Sequence, residues 1–229
     1  MKIVIERYLK ESYSQTFDVP LNSPTLLEAL NYIKENIDRS LTFSSGCRSS
    51  VCGSCSISVN GTPKLACAYK VQERDTISPM RYFKVLKDLV VDHQSAQETI
   101  IDSKSYSTPL ELTPNVSQAQ EKLNELQSDC ILCGVCYSAC PVYETNKEFL
   151  GPFALTRSWR YVSDPRDGAQ KEKIDTIQNS GVWDCTLCGE CSLVCPQGIS
   201  SKDDIIKLRT KSTQVGYSDP NIASFTSMF

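Results

Sequence analysis

Residues 45–67 read SGCRSSVCGSCSISVNGTPKLAC. Cys47, Cys52, Cys55 and Cys67 follow the pattern C-x4-C-x2-C-x11-C, the plant-type spacing for a two-iron, two-sulfur cluster. Three thiolates come from one irregular loop. The fourth returns on a hairpin whose turn, Asn60-Gly61, is the strongest short hairpin signal. Ser49, Ser50, Gly53 and Ser54 are small, so the backbone can approach the sulfurs and point N–H groups at them; such hydrogen bonds tune a cluster's potential. The alternatives are two disulfides or a zinc site. Zinc favours paired C-x2–4-C knuckles, and this sequence of gaps is unusual for it.

Two more runs lie downstream, CILCGVCYSACP from Cys130 and CTLCGECSLVCP from Cys185. Each is C-x2-C-x2-C-x3-C-P, the bacterial spacing for four-iron, four-sulfur clusters, in which the fourth cysteine of a run ligates the other cluster. The reading is therefore crossed. Cys130, Cys133, Cys136 and Cys195 are expected to hold one cubane. Cys140, Cys185, Cys188 and Cys191 are expected to hold the second, which becomes a three-iron cluster if Cys188 is not a ligand. A paired zinc module is the competing reading. All twelve cysteines are thus read as metal ligands, and without clusters the helical part is expected to be unfolded or molten.

The remaining composition narrows the classes. The chain has 229 residues, a net charge of −3 and 40% hydrophobic residues, which suits one large or two small folded domains. No basic stripe suggests nucleic acid as a partner. No apolar run approaches the ~20 residues that cross a bilayer. The N-terminus, MKIVIERYLKESYSQ, is charged and its apolar part is too short for a signal peptide. That points to a reducing compartment, where thiols stay reduced or bind metal. His93 is the single histidine, so neither a Cys2His2 zinc array nor a Rieske cluster fits.

Residues 1–92 read as a mixed β/α unit. Alternation predicts strands over Lys2–Tyr8 and Tyr13–Val19, and a hairpin of Ser56–Val59 with Lys64–Val71. Leu26, Leu27, Leu30, Ile33 and Ile37 recur at helical spacing. Pro24 suits a first helical position if Ser23 caps, while Thr25 with Glu28 fits a capping box. Residues 93–116 are polar with little periodicity and are expected to connect two domains. Residues 117–229 are expected to be helical, with Ala119, Leu123 and Leu126 on one face and further helices at Pro152–Val162, Lys171–Gln178 and Lys202–Thr210. The fold class is α+β.

Taken in order, SGCRSSVCGSC, NGTPKLAC, Ile77-Ser78-Pro79 with KVLKDLVVD, CILCGVCYSACP, LGPFALTRSWRYVSDPRD and VWDCTLCGECSLVCP resemble the iron–sulfur subunit of succinate dehydrogenases and fumarate reductases. The resemblance covers most of the chain. It implies an N-terminal β-grasp ferredoxin domain and a C-terminal helical ferredoxin domain. It implies an electron wire between the FAD of a flavoprotein subunit and a membrane-associated, quinone-reactive subunit, within the tricarboxylic acid cycle or anaerobic respiration. No catalytic residue is expected on this chain. An alternative is the wire subunit of another flavin-dependent dehydrogenase, acting on a 2-hydroxy acid or glycerol phosphate. The expected location is peripheral to the membrane on its cytoplasmic face, or on the periplasmic face if the chain is exported with a partner.

Three positions depart from the family pattern. Cys188 stands where the usual member has a non-cysteine residue and a three-iron cluster, so a second four-iron cluster is expected. Some relatives with this extra cysteine use a CCG-type membrane-associated subunit. Val142-Tyr143-Glu144 and Thr186-Leu187 lack the tryptophan and histidine of a family quinone pocket, so contact with quinone is expected to be indirect. Ser50 replaces a common glycine, which an ordinary backbone torsion would tolerate. Among the other residues, His93 is expected to be a solvated linker histidine, and Trp159 and Trp183 core or interface aromatics. Arg48 is read as a tuning or docking charge, or as a plain surface charge. Arg157, Arg160, Asp164, Arg166 and Asp167 read as an ion network or a subunit contact. Lys202, Asp203, Asp204, Lys207 and Arg209 read as an exposed helix face.

Overall fold

The computed structural model describes residues 1–112 and 114–220. Residues 221–229, the end of the expected helical region, and Thr113 in the expected connection lie outside the described residues. The chain forms two compact units, one of residues 1–95 with 131–139 and the other of residues 96–130 with 140–229.

In the first unit, β1 (Lys2–Tyr8) pairs antiparallel with β2 (Ser12–Asp18) and parallel with β5 (Thr76–Ser78). β3 (Ser56–Val59) joins β5 to β4 (Thr62–Leu65), giving the order β2-β1-β5-β3-β4. α1 (Leu26–Asn36) supplies Leu26, Leu27, Ala29, Leu30 and Ile33 to a core shared with Ile3, Ile5, Phe17, Ile57 and Ile77. This is the β-grasp arrangement. α1 starts by the capping box: Thr25 Oγ1 accepts from the Glu28 N–H at 3.2 Å, and Glu28 Oε2 accepts from the Thr25 N–H at 2.6 Å. Thr25 is therefore the cap, and Pro24 lies before the helix.

The Asn60-Gly61 turn has φ values of 50° and 80°, both left-handed, as a type I′ hairpin requires. The strand after it is shorter than expected. It stops at Leu65, because Ala68 and Tyr69 donate back to the Leu65 carbonyl and coil the chain into a turn. That turn carries Cys67. The KVLKDLVVD segment forms a two-stranded ribbon of β6 (Lys84–Lys87) and β7 (Val90–Asp92). α5 (Val135–Ala139) also belongs to this unit.

In the second unit, residues expected to be aperiodic form α2 (Gln94–Asp102). Just beyond it, Ser103 and Ser105 are fully buried. Their hydroxyls make this tolerable: Ser105 Oγ lies 2.6 Å from both Ser103 Oγ and Ser158 Oγ and donates to the Ala154 carbonyl at 3.0 Å. The helical stretch expected from Val116 is broken into α3 (Gln118–Glu121) and α4 (Glu125–Ser128), and Leu123 and Leu126 are exposed rather than packed. The main packing pair is α6 (Gly151–Val162) against α9 (Ser201–Gln214), with α7 (Gln170–Thr176) against α6 and the short α8 (Glu190–Leu193) against α9. Trp159 and Trp183 are both buried, and each indole N–H is satisfied, by the Leu123 carbonyl and Gln178 respectively. Among the described residues, no helix is long and apolar enough to cross a membrane.

Candidate iron–sulfur centres

The loop from Cys47 to Cys55 is built to surround sulfur. Arg48, Ser50 and Gly53 have φ values of 63°, 65° and 72°. The left-handed residues at 48 and 50 each precede a residue whose N–H turns to the Cys47 sulfur, as in an anion-binding nest. Ser49 and Val51 donate their N–H groups to Cys47 Sγ at 3.3 and 3.4 Å, and Cys47 donates its own to Cys52 Sγ at 3.3 Å. The Ser49 N–H, with help from its hydroxyl and from Val51, holds the Cys47 thiol down to about 6. Cys55 is buried, and loss of solvent pushes it up to about 11. Cys67, on the turn after β4, is hydrogen-bonded to Cys55. The structure therefore brings Cys55 and Cys67 together from opposite ends of the hairpin.

Ser50 does not have the ordinary torsion that the sequence reading required of it. At φ +65° a non-glycine residue is strained, and its hydroxyl lies 3.6 Å from Cys67 Sγ.

The two downstream runs repeat in backbone as well as in letters. Leu132 and Gly134 have φ values of 55° and 73°; their counterparts Leu187 and Gly189 have 57° and 89°. The Leu187 N–H accordingly reaches Cys185 Sγ at 3.4 Å. Cys133 and Cys136 lie in the first compact unit, and Cys130 and Cys195 in the second.

Cys140, Cys185, Cys188 and Cys191 all lie in the second unit. Burial pushes Cys140 up to about 12, and the charges of Cys191, Cys185 and Cys188 add to the rise. Cys191 is pushed up to about 11 by burial, with Cys185 and Cys188 again contributing. Burial also raises Cys185, which the Leu187 N–H and then Arg209 partly offset. Buried thiols crowded by other sulfurs, as Cys140 and Cys191 are, need a cationic core to be stable as thiolates. This donor set fits an iron–sulfur cubane. Among the described residues, no group of three or more His, Cys, Asp or Glu side chains is placed to hold a single metal ion.

Arg209 is a supporting residue that the sequence reading misplaced. Rather than facing solvent, it donates to the carbonyls of Val182, Trp183 and Cys185 at 2.8, 3.2 and 2.7 Å, tying α9 to the start of the third cysteine run. Asp204 is likewise fully buried. The signal was available: both flank the buried positions Ile205, Leu208 and Ser212 at helical spacing. His93 is also packed rather than solvated, with its ring 5.0 Å from that of Phe83, and burial lowers its pKa. The expected network splits into a half-buried Asp164 paired with exposed Arg166 and a buried Asp167–Lys173 pair at 2.8 Å. Lys173 was not among the residues singled out.

These features define an iron–sulfur protein with a ferredoxin-like unit and a dicluster unit. Residues 2–98 match the family model for a 2Fe-2S iron–sulfur cluster binding domain, and residues 126–199 match that for a 4Fe-4S dicluster domain. The chain is 36% identical over 230 residues to the fumarate reductase iron–sulfur subunit of Escherichia coli O6:H1, covering 93% of each. It is 33% identical to the 8-methylmenaquinol:fumarate reductase iron–sulfur subunit of Wolinella succinogenes, covering 94% of this chain and 74% of the relative. In fold it matches a chain of the Mycobacterium smegmatis Sdh1 complex with a TM-score of 0.84, 24% identity and coverage of 96% and 98%. The chain belongs to the family of fumarate reductase and succinate dehydrogenase iron–sulfur subunits.

Proposed function

We propose that this chain is the electron-transfer subunit of a succinate:quinone or quinol:fumarate oxidoreductase. It relays electrons between the FAD of a flavoprotein subunit and a membrane-associated, quinone-reactive subunit. When bound, the clusters supply reversible one-electron chemistry, and the protein supplies their ligands, spacing and hydrogen bonds. Cys47, Cys52, Cys55 and Cys67 hold the two-iron cluster. Cys130, Cys133, Cys136 and Cys195 are assigned to the first cubane by their spacing, and Cys140, Cys185, Cys188 and Cys191 to the second. The observation that carries the reading is the nearness of Cys140 to all three of Cys185, Cys188 and Cys191, which supports the crossed ligation expected of a dicluster protein. The complex is placed on the cytoplasmic face of the membrane.

The test is anaerobic purification with the partner subunits, followed by iron and acid-labile sulfide analysis. About ten of each per chain are expected for one two-iron and two four-iron clusters. Zinc without sulfide would reject the wire role. The co-purified flavoprotein should oxidise succinate or reduce fumarate; activity only with a 2-hydroxy acid or glycerol phosphate would assign the chain to another dehydrogenase.

A further inference from the structure

Ser50 combines two features that ligand spacing does not explain. Its φ of +65° lies in the left-handed region, which strains a residue with a β-carbon relative to right-handed backbone. Its Oγ stands 3.6 Å from Cys67 Sγ, the ligand that arrives from the far side of the hairpin. A hydroxyl offers one donor and two acceptor sites. A thiolate has no proton, so once Cys67 is a ligand only Ser50 can donate.

We propose that the Ser50 hydroxyl donates a hydrogen bond to the Cys67 sulfur and raises the reduction potential of the two-iron cluster. This rests on the assignment of that cluster to Cys47, Cys52, Cys55 and Cys67. Reduction adds negative charge, part of which falls on the cysteine sulfurs. A donor at one of them therefore stabilises the reduced form more than the oxidised form. The main-chain donors to Cys47 and Cys52 would survive any side-chain change; the hydroxyl at Ser50 would not. Ser50 acts through Cys67 and is a positioning residue rather than a ligand.

The test is an EPR-monitored redox titration of the two-iron cluster in the intact complex, comparing wild type with Ser50→Gly and Ser50→Ala. Both variants are expected to move the one-electron equilibrium about tenfold toward the oxidised form, which is about 59 mV. Glycine accepts the torsion freely, so Ser50→Gly keeps its iron and sulfide, and its thermal midpoint exceeds that of Ser50→Ala. A potential unmoved in both, or moved in Ser50→Gly alone, overturns the proposal. If Ser50→Ala fails to assemble, the change in potential between H2O and D2O decides. It is expected to be smaller in Ser50→Gly than in wild type, and an equal change overturns the proposal. A wild-type complex without the reduced two-iron signal overturns the cluster assignment and the proposal together; a normal signal with unmoved potentials overturns the proposal alone.

Discussion

Gly53 is packed against Cys133. A β-carbon at Gly53 would lie 2.6 Å from the Cys133 β-carbon and 2.8 Å from its α-carbon, and the Gly53 φ of +72° already disfavours any other residue. A residue inside the two-iron loop is thus held against a cysteine assigned to the first cubane, within one compact unit. Gly53→Ala is expected to cost at least about 1–2 kcal/mol from torsion alone, and more from the clash, because neither neighbour is the movable end of a side chain. Iron content per chain and the thermal midpoint should both fall. A Gly53→Ala protein with full iron and an unchanged midpoint would show that this approach is not required.

Cys188 decides the nature of the second cubane. It is exposed, yet it lies near both Cys140 and Cys191, which are buried. In the proposed assignment it is the fourth ligand. Oxidised wild type is expected to lack a stoichiometric three-iron EPR signal, and Cys188→Ser to gain one. A full three-iron signal in anaerobically prepared wild type would show that the thiolate is unused.

Much of the site was legible because cluster ligation imposes short, fixed cysteine spacings that no core requirement imitates. The β-grasp half was legible for a similar reason: Ile3, Ile5 and Phe17 alternate, Leu26, Leu30 and Ile33 follow helical spacing, and Asn60-Gly61 admits few backbone conformations. What escaped was decided by distant partners. Ser103 and Ser105 look like linker residues until Ser158 and the Ala154 carbonyl satisfy their hydroxyls. Arg209 looks solvated until three carbonyls converge on it. Leu123 and Leu126 have helical spacing, but both are exposed. The torsion at Ser50 is imposed by the loop and contradicts the residue's own preference.

Asp204 gives the helical unit a pH dependence of unusual sign. It is fully buried, its Oδ1 accepts from Gln127 Nε2 at 2.8 Å, and its Oδ2 has no hydrogen bond of ordinary geometry. Burial raises its pKa to about 6, against the pull of Gln127 and Lys207. Between about pH 4 and 6 the folded chain holds a proton that the unfolded chain has lost. Stability from this group therefore falls as pH rises through that window and stays low above it. Asp204→Asn keeps an acceptor for Gln127 and removes the buried charge. It is expected to flatten this slope and to stabilise the protein at pH 7 by about 2–3 kcal/mol. Denaturation midpoints at pH 4.5 and 7 check this; a variant less stable than wild type at pH 7 would show that the charge is well paired.

Arg7 makes the opposite case in the ferredoxin-like unit. Its Nε and second terminal nitrogen meet both oxygens of the buried Asp88 at 3.0 and 3.1 Å, and its first terminal nitrogen meets Asp38 at 2.5 Å. Asp88 also accepts from the Thr42 N–H, so the network joins β1, the turn between β6 and β7, and the segment after α1. Arg7→Met preserves bulk but leaves a buried carboxylate without its cation, and a loss of about 3–5 kcal/mol is expected. The acid response separates the contributions. Asp38 is held down to about 2, first by the Ser40 hydroxyl and N–H and then by Arg7. Its depressed pKa supplies stability above about pH 4 that is lost as pH falls toward 2. Because Ser40 is the larger cause, Arg7→Met should keep most of that acid step while losing stability at neutral pH. Loss of the step along with the neutral-pH stability would assign the Asp38 effect to Arg7 instead.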